Sequence, residues 1–249
     1  MNYKVDINGI EVNAVYSDEN IENIFVPILK KMKRIQEEKG RRILVLLAAP
    51  PGAGKSTLLS FLKYLSETNE DLSPITTIGM DGFHRYQDYL TSHKIQRDGK
   101  SYSMVQVKGC PETFDLDLLI DRIKRVSNGE KCGWPDYNRM THNPQEDAIY
   151  VDGDIVLLEG NYLLLNHPGW SDIKSFADLT ISVSADEDML RGRLLDRKIK
   201  SGNTPEKAAE FVDFSDMHNV RICLNDSVKA DINLRVMEDG TYKLLNSIK

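Results

Sequence analysis

The stretch RRILVLLAA at residues 41–49 constrains the fold more than any other part of the sequence. Its run from Ile43 to Ala49 is apolar without alternation, which is typical of a strand buried on both faces of a parallel sheet. The loop APPGAGKST follows at 49–57, and the apolar spacing of KSTLLSFLKYL indicates a helix after it. The expected order is therefore strand, glycine-rich loop and helix.

Strands and helices alternate along the rest of the chain. Further strands are predicted for ITTIGMDGF, which we expect to end at Asp81, and for DIVLLEG, DLTISVSA and KADINLRV. No linker rich in glycine, serine or proline separates them. We therefore expect one α/β domain over residues 1–249, with a mostly parallel sheet and helices on both of its faces.

The parts outside the sheet have their own signals. Residues 1–40 predict a hairpin with a turn at Asn8-Gly9, followed by an amphipathic helix. Two excursions leave the sheet, at 84–112 and 132–152, and we expect them to bind the second substrate. The second excursion has a predicted turn at Asn143-Pro144 between two irregular strands.

Capping signals predict where two late helices begin. Ser184 has Glu187 three residues further on, which is the spacing of a capping box. Thr204 precedes Pro205, and proline is favoured at the first helical position. We therefore expect helices to start at these two places.

The loop at 49–57 matches the Walker A pattern G-x-x-x-x-G-K-[ST], except that Ala49 stands at the first glycine. In such loops main-chain N–H groups surround phosphates, the lysine reaches the β- and γ-phosphates and the hydroxyl binds Mg²⁺. The sequence thus predicts ATP as co-substrate and Mg²⁺ at Ser56, with help from Glu159. The predicted nucleotide-binding residues are Gly52, Ala53, Gly54, Lys55, Ser56 and Thr57.

A Walker A loop serves GTPases, motor ATPases and small-molecule kinases alike. The sequence has no N-K-x-D motif, with which GTPases read guanine. The later strand ends Leu-Leu-Glu159-Gly160, without the Asp-Glu pair that is usual in motor ATPases. These features favour a kinase, which needs a residue that orients an acceptor hydroxyl.

Asp81 is the candidate for that residue. It follows a predicted strand, and ligands of open α/β sheets bind at the carboxyl ends of strands. A carboxylate there could accept the proton of the acceptor hydroxyl and direct its oxygen at the γ-phosphorus. The alternative is an ordinary turn aspartate before Gly82.

Two further groups of polar residues could complete the site. In PDYNRMTH, Tyr137 and Arg139 share one face of a strand, so His142 reaches the same pocket only if the chain bends. A solvated hairpin is the alternative reading. Arg193 and Arg197 are four residues apart on one helix, close to Arg191. They could stabilise a transferring phosphoryl group, or they could be a solvated basic face.

The segment after these arginines, KSGNTPE, has the composition of a mobile loop. A helix that carries arginines and leads into such a loop suits a lid, which we expect over about 190–215.

Composition limits the partners. The formal net charge is −6, from 32 Lys plus Arg and 38 Asp plus Glu, which argues against binding to nucleic acid or an anionic membrane. The three cysteines have no CxxC pair, the first residues lack the apolar core of a signal peptide, and no apolar run could span a bilayer. We expect a cytoplasmic protein; its oligomeric state stays open, with a homodimer among the options.

Taken together, the motifs resemble the uridine kinase, phosphoribulokinase and bacterial pantothenate kinase superfamily. PPGAGKSTL, MDGFH, KGCPETFDLDLL, WPDYNRMTHNPQEDA, VLLEGNYLLL and DMLRGRLLDRKIKSG occur in that order, and the resemblance covers roughly residues 8–245. The combination looks closest to the nucleoside/nucleotide kinase family proteins, some of which are labelled fructose-transport-associated kinases. The resemblance implies a three-layer P-loop NTPase fold with a helical lid.

The resemblance also implies roles for single residues. Asp81 corresponds to the aspartate that is the acceptor's base in uridine kinases, and Tyr137 and His142 to residues that contact the nucleoside. Arg193 and Arg197 fall in the family's lid region. His84 replaces the aromatic residue that follows the Asp-x-Phe of uridine kinases.

The sequence therefore predicts a kinase that transfers the γ-phosphate of Mg-ATP to a hydroxyl of a nucleoside, sugar or pantothenate-like acceptor. Asp81, Lys55, Arg193 and Arg197 are the expected catalytic residues. A nucleotide-dependent regulator of a protein partner is one alternative. A nucleotide monophosphate kinase is another, and it would need a second basic pocket, for which the candidates are Arg85, Lys94, Arg97 and Lys108.

Overall fold

The computed structural model describes residues 1–7 and 10–248, and in this part of the chain a six-stranded sheet forms the centre of the fold. The strand order is β12-β11-β10-β3-β9-β4; β12 is antiparallel to β11, and the other neighbours are parallel. The strands are β1 (Asn2–Ile7), β2 (Ile10–Val15), β3 (Ile43–Ala48), β4 (Thr76–Gly79), β5 (Lys94–Arg97), β6 (Lys100–Ser103), β7 (Cys132–Asn138), β8 (Asn143–Val151), β9 (Ile155–Gly160), β10 (Leu179–Ser184), β11 (Ile232–Val236) and β12 (Tyr242–Leu244).

Helices cover both faces of this sheet. Two π turns, Ile21–Phe25 and Val212–Asp216, join α1 to α2 and α7 to α8. A short 3-10 turn, Met80–Phe83, follows β4. The helices are α1 (Asp18–Asn20), α2 (Val26–Lys39), α3 (Lys55–Thr68), α4 (Gln87–Ser92), α5 (Leu116–Ser127), α6 (Glu187–Lys200), α7 (Pro205–Phe211) and α8 (Met217–Asp226).

Strand β3 lies between the two layers of helices and contributes side chains to the hydrophobic core on each face of the sheet. Its residues are all buried, and successive side chains point to opposite faces of a sheet. Val45 and Leu47 belong to the core beneath α2 and α3, whereas Leu44 and Leu46 belong to the core beneath α5. The predicted fold class, a three-layer P-loop fold with a mostly parallel sheet, is confirmed.

The amino-terminal hairpin of β1 and β2 lies against α3. The hydroxyl of Tyr3 is 2.8 Å from the Oγ of Ser60, and the ring of Tyr16 stacks on Phe61 with centroids 3.9 Å apart. The predicted turn at Asn8-Gly9 lies outside the described residues. The helix that follows ends as expected, because Gly40 takes the left-handed conformation at φ 58°.

Three sequence predictions were wrong in detail. The second predicted strand ends at Gly79, so Asp81 lies in the 3-10 turn and not in β4. Asn143-Pro144 begins β8, because the turn comes earlier, at 139–142.

The third error concerns the start of α6. Asp186 caps this helix and accepts from the N–H of Asp188 at 3.0 Å. Ser184 is instead the last residue of β10, and its hydroxyl donates to the carbonyl oxygen of Leu234. The prediction for α7 is confirmed, since the Oγ1 of Thr204 accepts from the N–H of Lys207.

Within residues 1–7 and 10–248, none of the helices is both long enough and apolar enough to cross a bilayer.

Candidate active site

A cleft of about 1030 Å³ opens at the carboxyl ends of β3, β4 and β9. Nearly all predicted site residues line it, whichever part of the chain they come from. Two do not: Ala53 lies beneath the loop at 1% exposure, and Glu159 lies below the cleft floor at 7%. The predicted residues that line the cleft are Gly52, Gly54, Lys55, Ser56, Thr57, Asp81, His84, Tyr137, Arg139, His142, Arg193 and Arg197.

The glycine-rich loop forms the floor of one end of the cleft. Gly52 and Gly54 both have φ +83°, a conformation that favours glycine. A Cβ at Gly52 would lie 3.1 Å from the Cγ of Leu194, so the loop passes directly under α6. Lys55 then begins α3, and the N–H groups of a first helical turn have no partner within the helix. They are available to an anion in the cleft, aided by the helix dipole.

Ser56 and Glu159 form a pair of oxygen donors beside the lysine. The hydroxyl of Ser56 donates to the Oε1 of Glu159 at 2.9 Å. The Oε2 of Glu159 is buried and has no partner among the described residues. Burial raises the pKa of Glu159, and the nearby Asp81 raises it further, whereas Lys55 lowers it. Oxygen ligands of this kind fit Mg²⁺, which binds few protein groups and completes its shell with phosphate and water.

Asp81 faces the same lysine from the 3-10 turn. Burial by itself raises the pKa of this carboxyl, but Lys55, Arg139 and Arg197 bring the pKa below its ordinary value. The carboxylate is therefore ionised at neutral pH, as a proton acceptor must be.

The turn that carries Asp81 is fixed at Gly82. A Cβ at this glycine would collide with the carbonyl of Pro135 in β7. No other residue would allow so close an approach, so the turn lies directly on the strand that leads to Tyr137.

Basic side chains crowd the cleft without partners. Among the described residues, no carboxylate lies within ion-pair distance of Arg139, Arg193 or Arg197. Arg191 differs, because it points out of the cleft and bonds Asp213 at 2.6 Å. The unpaired guanidinium groups give the cleft a positive field that suits a polyphosphate.

The other end of the cleft is built from the two excursions. The ring of His84 stacks on Phe114 with centroids 4.0 Å apart and meets Tyr137 edge-on. Lys108 lies 4.9 Å from the centre of the Tyr137 ring and donates to the carbonyl oxygen of His142 at 3.1 Å. His142 has φ 55°, so the chain does bend after Arg139 and brings this histidine to the same side.

The four residues suggested for a second basic pocket do not come together. Arg85 bonds Asp115 at 3.1 Å, and the guanidinium of Arg97 lies over the ring of Phe214. Lys94 is exposed on β5. Of the four, Lys108 alone lines the cleft.

Sequence reasoning missed several residues of the cleft. Asn161 follows β9, and Asp216 and Asn219 come from the π turn and α8. Each has a buried side-chain oxygen without a partner among the described residues. Val12 and Asn13 of the amino-terminal hairpin also line the cleft. Asn161 lies inside the motif VLLEGNYLLL but carries no signal of its own, and no motif marks Asp216 or Asn219, since a π turn leaves no spacing signal in a sequence.

The sequence model of the Phosphoribulokinase / Uridine kinase family matches residues 44–242, which include the loop, Asp81 and the arginines of α6. The chain belongs to this family. It is therefore a P-loop kinase. The Walker A loop alone could not distinguish a kinase from a GTPase or a motor ATPase.

Three individual relatives cover nearly the whole of their own length with this chain, and two of them carry kinase names. The kinase is 38% identical over 243 residues to "Uncharacterized protein YggC" of Escherichia coli K12, covering 97% of this chain and 98% of that one. It is 30% identical to "Putative uridine kinase C227.14" of Schizosaccharomyces pombe, covering 94% and 98%. The crystal structure of a "putative fructose transport system kinase" from Silicibacter sp. TM1040 matches with TM-score 0.73 at 27% identity, covering 84% of this chain and 98% of that one.

Proposed function

We propose that the protein transfers the γ-phosphate of Mg-ATP to a hydroxyl of a small molecule, with Asp81 as the base. One observation carries the proposal: an ionised carboxylate with a lowered pKa faces the loop lysine across a single cleft. In phosphoryl transfer the protein has to position the groups and stabilise charge, and this arrangement does both.

The nucleotide would lie along the loop. Gly52, Gly54 and the first N–H groups of α3 surround its phosphates, and Lys55 meets the β- and γ-phosphates. Ser56 and the unpartnered oxygen of Glu159 would hold Mg²⁺. The bound ion would neutralise charge on the phosphate oxygens.

The chemical step follows from the position of Asp81. The acceptor hydroxyl gives its proton to this carboxylate, and its oxygen bonds the γ-phosphorus as the bond between that phosphorus and the β–γ bridging oxygen breaks. ADP leaves with the electron pair of that bond. Arg193 and Arg197 stabilise the charge that spreads over the transferring group, and the segment from α6 to α7 closes as a lid that excludes water.

The acceptor would lie between His84, Tyr137, Arg139 and His142. Burial lowers the pKa of His84 to about 4, against the raising effect of Asp81, so its imidazole is neutral at pH 7. The group thus offers an aromatic surface, a neutral imidazole and a guanidinium. A nucleoside, a sugar and a pantothenate-like compound each fit this description.

The test is an Asp81→Asn variant assayed for acceptor-dependent ADP release over a panel of nucleosides, sugars and pantothenate. Loss of a general base lowers turnover by about 10² to 10⁴, while ATP affinity, measured by titration calorimetry, stays within a factor of about two. Asp88→Asn, an exposed carboxylate of α4, is the control. Full transfer by Asp81→Asn would refute the assignment of the base.

A nucleotide-dependent regulator would give a different result in the same assay. Its ATP hydrolysis would not respond to any compound of the panel, and Asp81→Asn would leave that hydrolysis unchanged.

A further inference from the structure

Arg139 presents a charged group to the cleft. It begins the turn at 139–142 between β7 and β8, which pair as an antiparallel ribbon. Its side chain is exposed and lines the cleft, so a ligand can reach the guanidinium. Among the described residues no carboxylate lies within ion-pair distance of it, whereas Arg122 bonds Asp147 of the same ribbon at 3.5 Å. The guanidinium of Arg139 is therefore available to an anion.

The turn that carries Arg139 is held in place on both sides. The Oδ1 of Asn138 accepts from two N–H groups inside the turn, at 2.9 and 3.1 Å. Lys108, from the other excursion, donates at 3.1 Å to the carbonyl oxygen of His142, the last residue of the turn. A charge that acts on a reaction has to be held by its surroundings, so that it needs no rearrangement during the chemical step. The main chain at Arg139 meets this requirement.

The ribbon brings Arg139 close to the proposed base. The 3-10 turn of Asp81 rests on the carbonyl of Pro135, four residues before Arg139. Burial raises the pKa of Asp81, and the charge of Arg139 is one of those that outweigh this effect. The guanidinium therefore lies close enough to the carboxylate to act on its charge.

Arg139 also lies near two cations of α6, which belong to another wall of the cleft. Burial lowers the pKa of Arg197, and Arg139 lowers it further because like charges repel. Burial also lowers the pKa of Lys198; Asp216 raises it, and Arg197 and Arg139 lower it. Three positive groups from two walls of one cleft repel each other, and an anion that binds between them relieves this repulsion.

The reaction brings such an anion to this part of the cleft. During transfer the γ-phosphoryl group lies between the acceptor oxygen, whose proton Asp81 takes, and the loop, where Lys55 meets the β- and γ-phosphates. Arg139 acts on the charges of both Asp81 and Arg197, which border this space. Negative charge on the transferring group is therefore within reach of Arg139.

We propose that Arg139 is a catalytic residue that donates hydrogen bonds to the oxygens of the transferring phosphoryl group, from a different wall of the cleft than Arg197. The inference rests on the proposed kinase function. Arg139 makes and breaks no covalent bond and gives up no proton. Its fork of N–H donors offsets the charge that spreads over the phosphoryl oxygens. Its role thus extends beyond contact with the acceptor, which is what the sequence predicts for it.

The first experiment needs no acceptor. A complex of ADP, Mg²⁺ and aluminium fluoride imitates a phosphoryl group in transfer, and titration calorimetry measures how much aluminium fluoride raises the affinity for ADP. We expect a gain of about a hundredfold or more in the wild type. Arg139→Met reduces this gain by about tenfold or more, the effect of one charge-assisted hydrogen bond. Its affinity for ADP alone stays within about twofold, because ADP lacks the group that Arg139 contacts.

The second experiment separates kcat from KM. The acceptor is the best substrate from the panel of nucleosides, sugars and pantothenate. Arg139→Met lowers kcat by about a hundredfold or more, while the KM values for the acceptor and for ATP stay within about threefold. Arg139→Lys recovers only part of the rate, because lysine keeps the charge but not the planar fork of donors.

Two controls share the surroundings of Arg139 and Arg197. Arg191→Met removes a guanidinium of α6 that bonds Asp213 outside the cleft, and Met140→Ala changes the neighbour of Arg139, which is 92% exposed. Both keep the wild-type gain with aluminium fluoride and the wild-type kcat. Thermal unfolding checks that each variant is folded, and Arg139→Lys carries the test if Arg139→Met is not.

Three results would overturn the proposal. The first is a gain with aluminium fluoride that is the same in Arg139→Met as in the wild type. The second is a raised KM for the acceptor at unchanged kcat, which would make Arg139 a binding residue for the acceptor alone. The third is a wild type that shows no gain at all, because its cations would then not be arranged around a phosphoryl group.

The outcome also separates this inference from the function on which it rests. If Asp81→Asn keeps full transfer while Arg139→Met loses it, the base is wrongly assigned and the role of Arg139 stands. If ATP hydrolysis responds to no acceptor, the kinase proposal fails, and the aluminium fluoride titration still decides whether Arg139 contacts the phosphoryl group.

Discussion

The half-buried His84 makes the stability of the protein depend on pH. Burial lowers the pKa of His84 from its ordinary 6.5 to about 4. Below pH 6.5 the unfolded chain binds a proton at this residue that the folded chain does not bind until about pH 4. His84 therefore contributes its full share of stability above pH 6.5, and this share is lost as the pH falls.

The size of the loss follows from the two pKa values. Between pH 7 and pH 5 the unfolded state is progressively protonated, whereas the folded state stays neutral at His84, which removes about 2 kcal/mol from the free energy of unfolding. Burial also raises the pKa values of Glu159 and Asp216. A variant of His84 alone isolates its share, because the other groups are common to both proteins.

The assay is urea unfolding of wild type and His84→Gln at pH 7 and pH 5. The wild type should lose about 2 kcal/mol more than the variant over this interval. His93→Gln, at an exposed position beside Tyr89, is the control for removal of an imidazole and should follow the wild type. If His84→Gln loses stability as steeply as the wild type does, the histidine is not held neutral by burial and the reasoning is refuted.

Three other substitutions test the frame of the fold. Gly54→Ala should lower the free energy of unfolding by about 1 kcal/mol, because its backbone is left-handed although the space around it is open. Gly52→Ala should lower it by about 1 to 3 kcal/mol more, because the new methyl group also contacts Leu194. Equal losses in thermal unfolding would contradict the close approach of α6. Asp178→Ala should lower the free energy of unfolding by about 1 to 3 kcal/mol, because the carboxylate accepts from the N–H of Leu44 as well as from surface cations. A urea midpoint equal to that of the wild type would contradict this, since water would then satisfy the N–H of Leu44 equally well.

The parts of the fold that sequence could predict have a periodic or chemical signal. Leu44 and Leu46 alternate with Val45 and Leu47 between two cores, and a run apolar at every position predicts this arrangement. The part of the cleft that the glycine-rich loop forms was predictable for a similar reason, because the Walker A pattern gives Lys55 a fixed place in that loop.

The errors arose where two local signals competed. Ser184 and Asp186 can both cap a helix, and the hydrogen bonding of β10 to β11 decides in favour of Asp186. Asn143-Pro144 is a good turn sequence, yet the bend at His142 comes first and leaves the pair in β8. Tertiary pairing overrode the propensity in both cases.

The unexpected residues of the cleft have a different cause. Asp216 ends a π turn and Asn219 follows it, and such a turn shifts the helical phase by about one residue and turns these side chains inward. If the regular helical period is applied to this stretch, it does not place Asp216 and Asn219 on the face that lines the cleft. Long-range packing therefore determined this wall of the site, and no local pattern records it.

The contact at Gly82 has a mechanical consequence. Because the backbone beside Asp81 rests on Pro135 without room for a methyl group, Asp81 and the ribbon of β7 and β8 must move together. Related proteins could therefore not adapt the cleft to a larger or smaller compound by sliding that ribbon, because Asp81 would be displaced with it. They would have to exchange the side chains that project from it, one at a time, on an unchanged main chain.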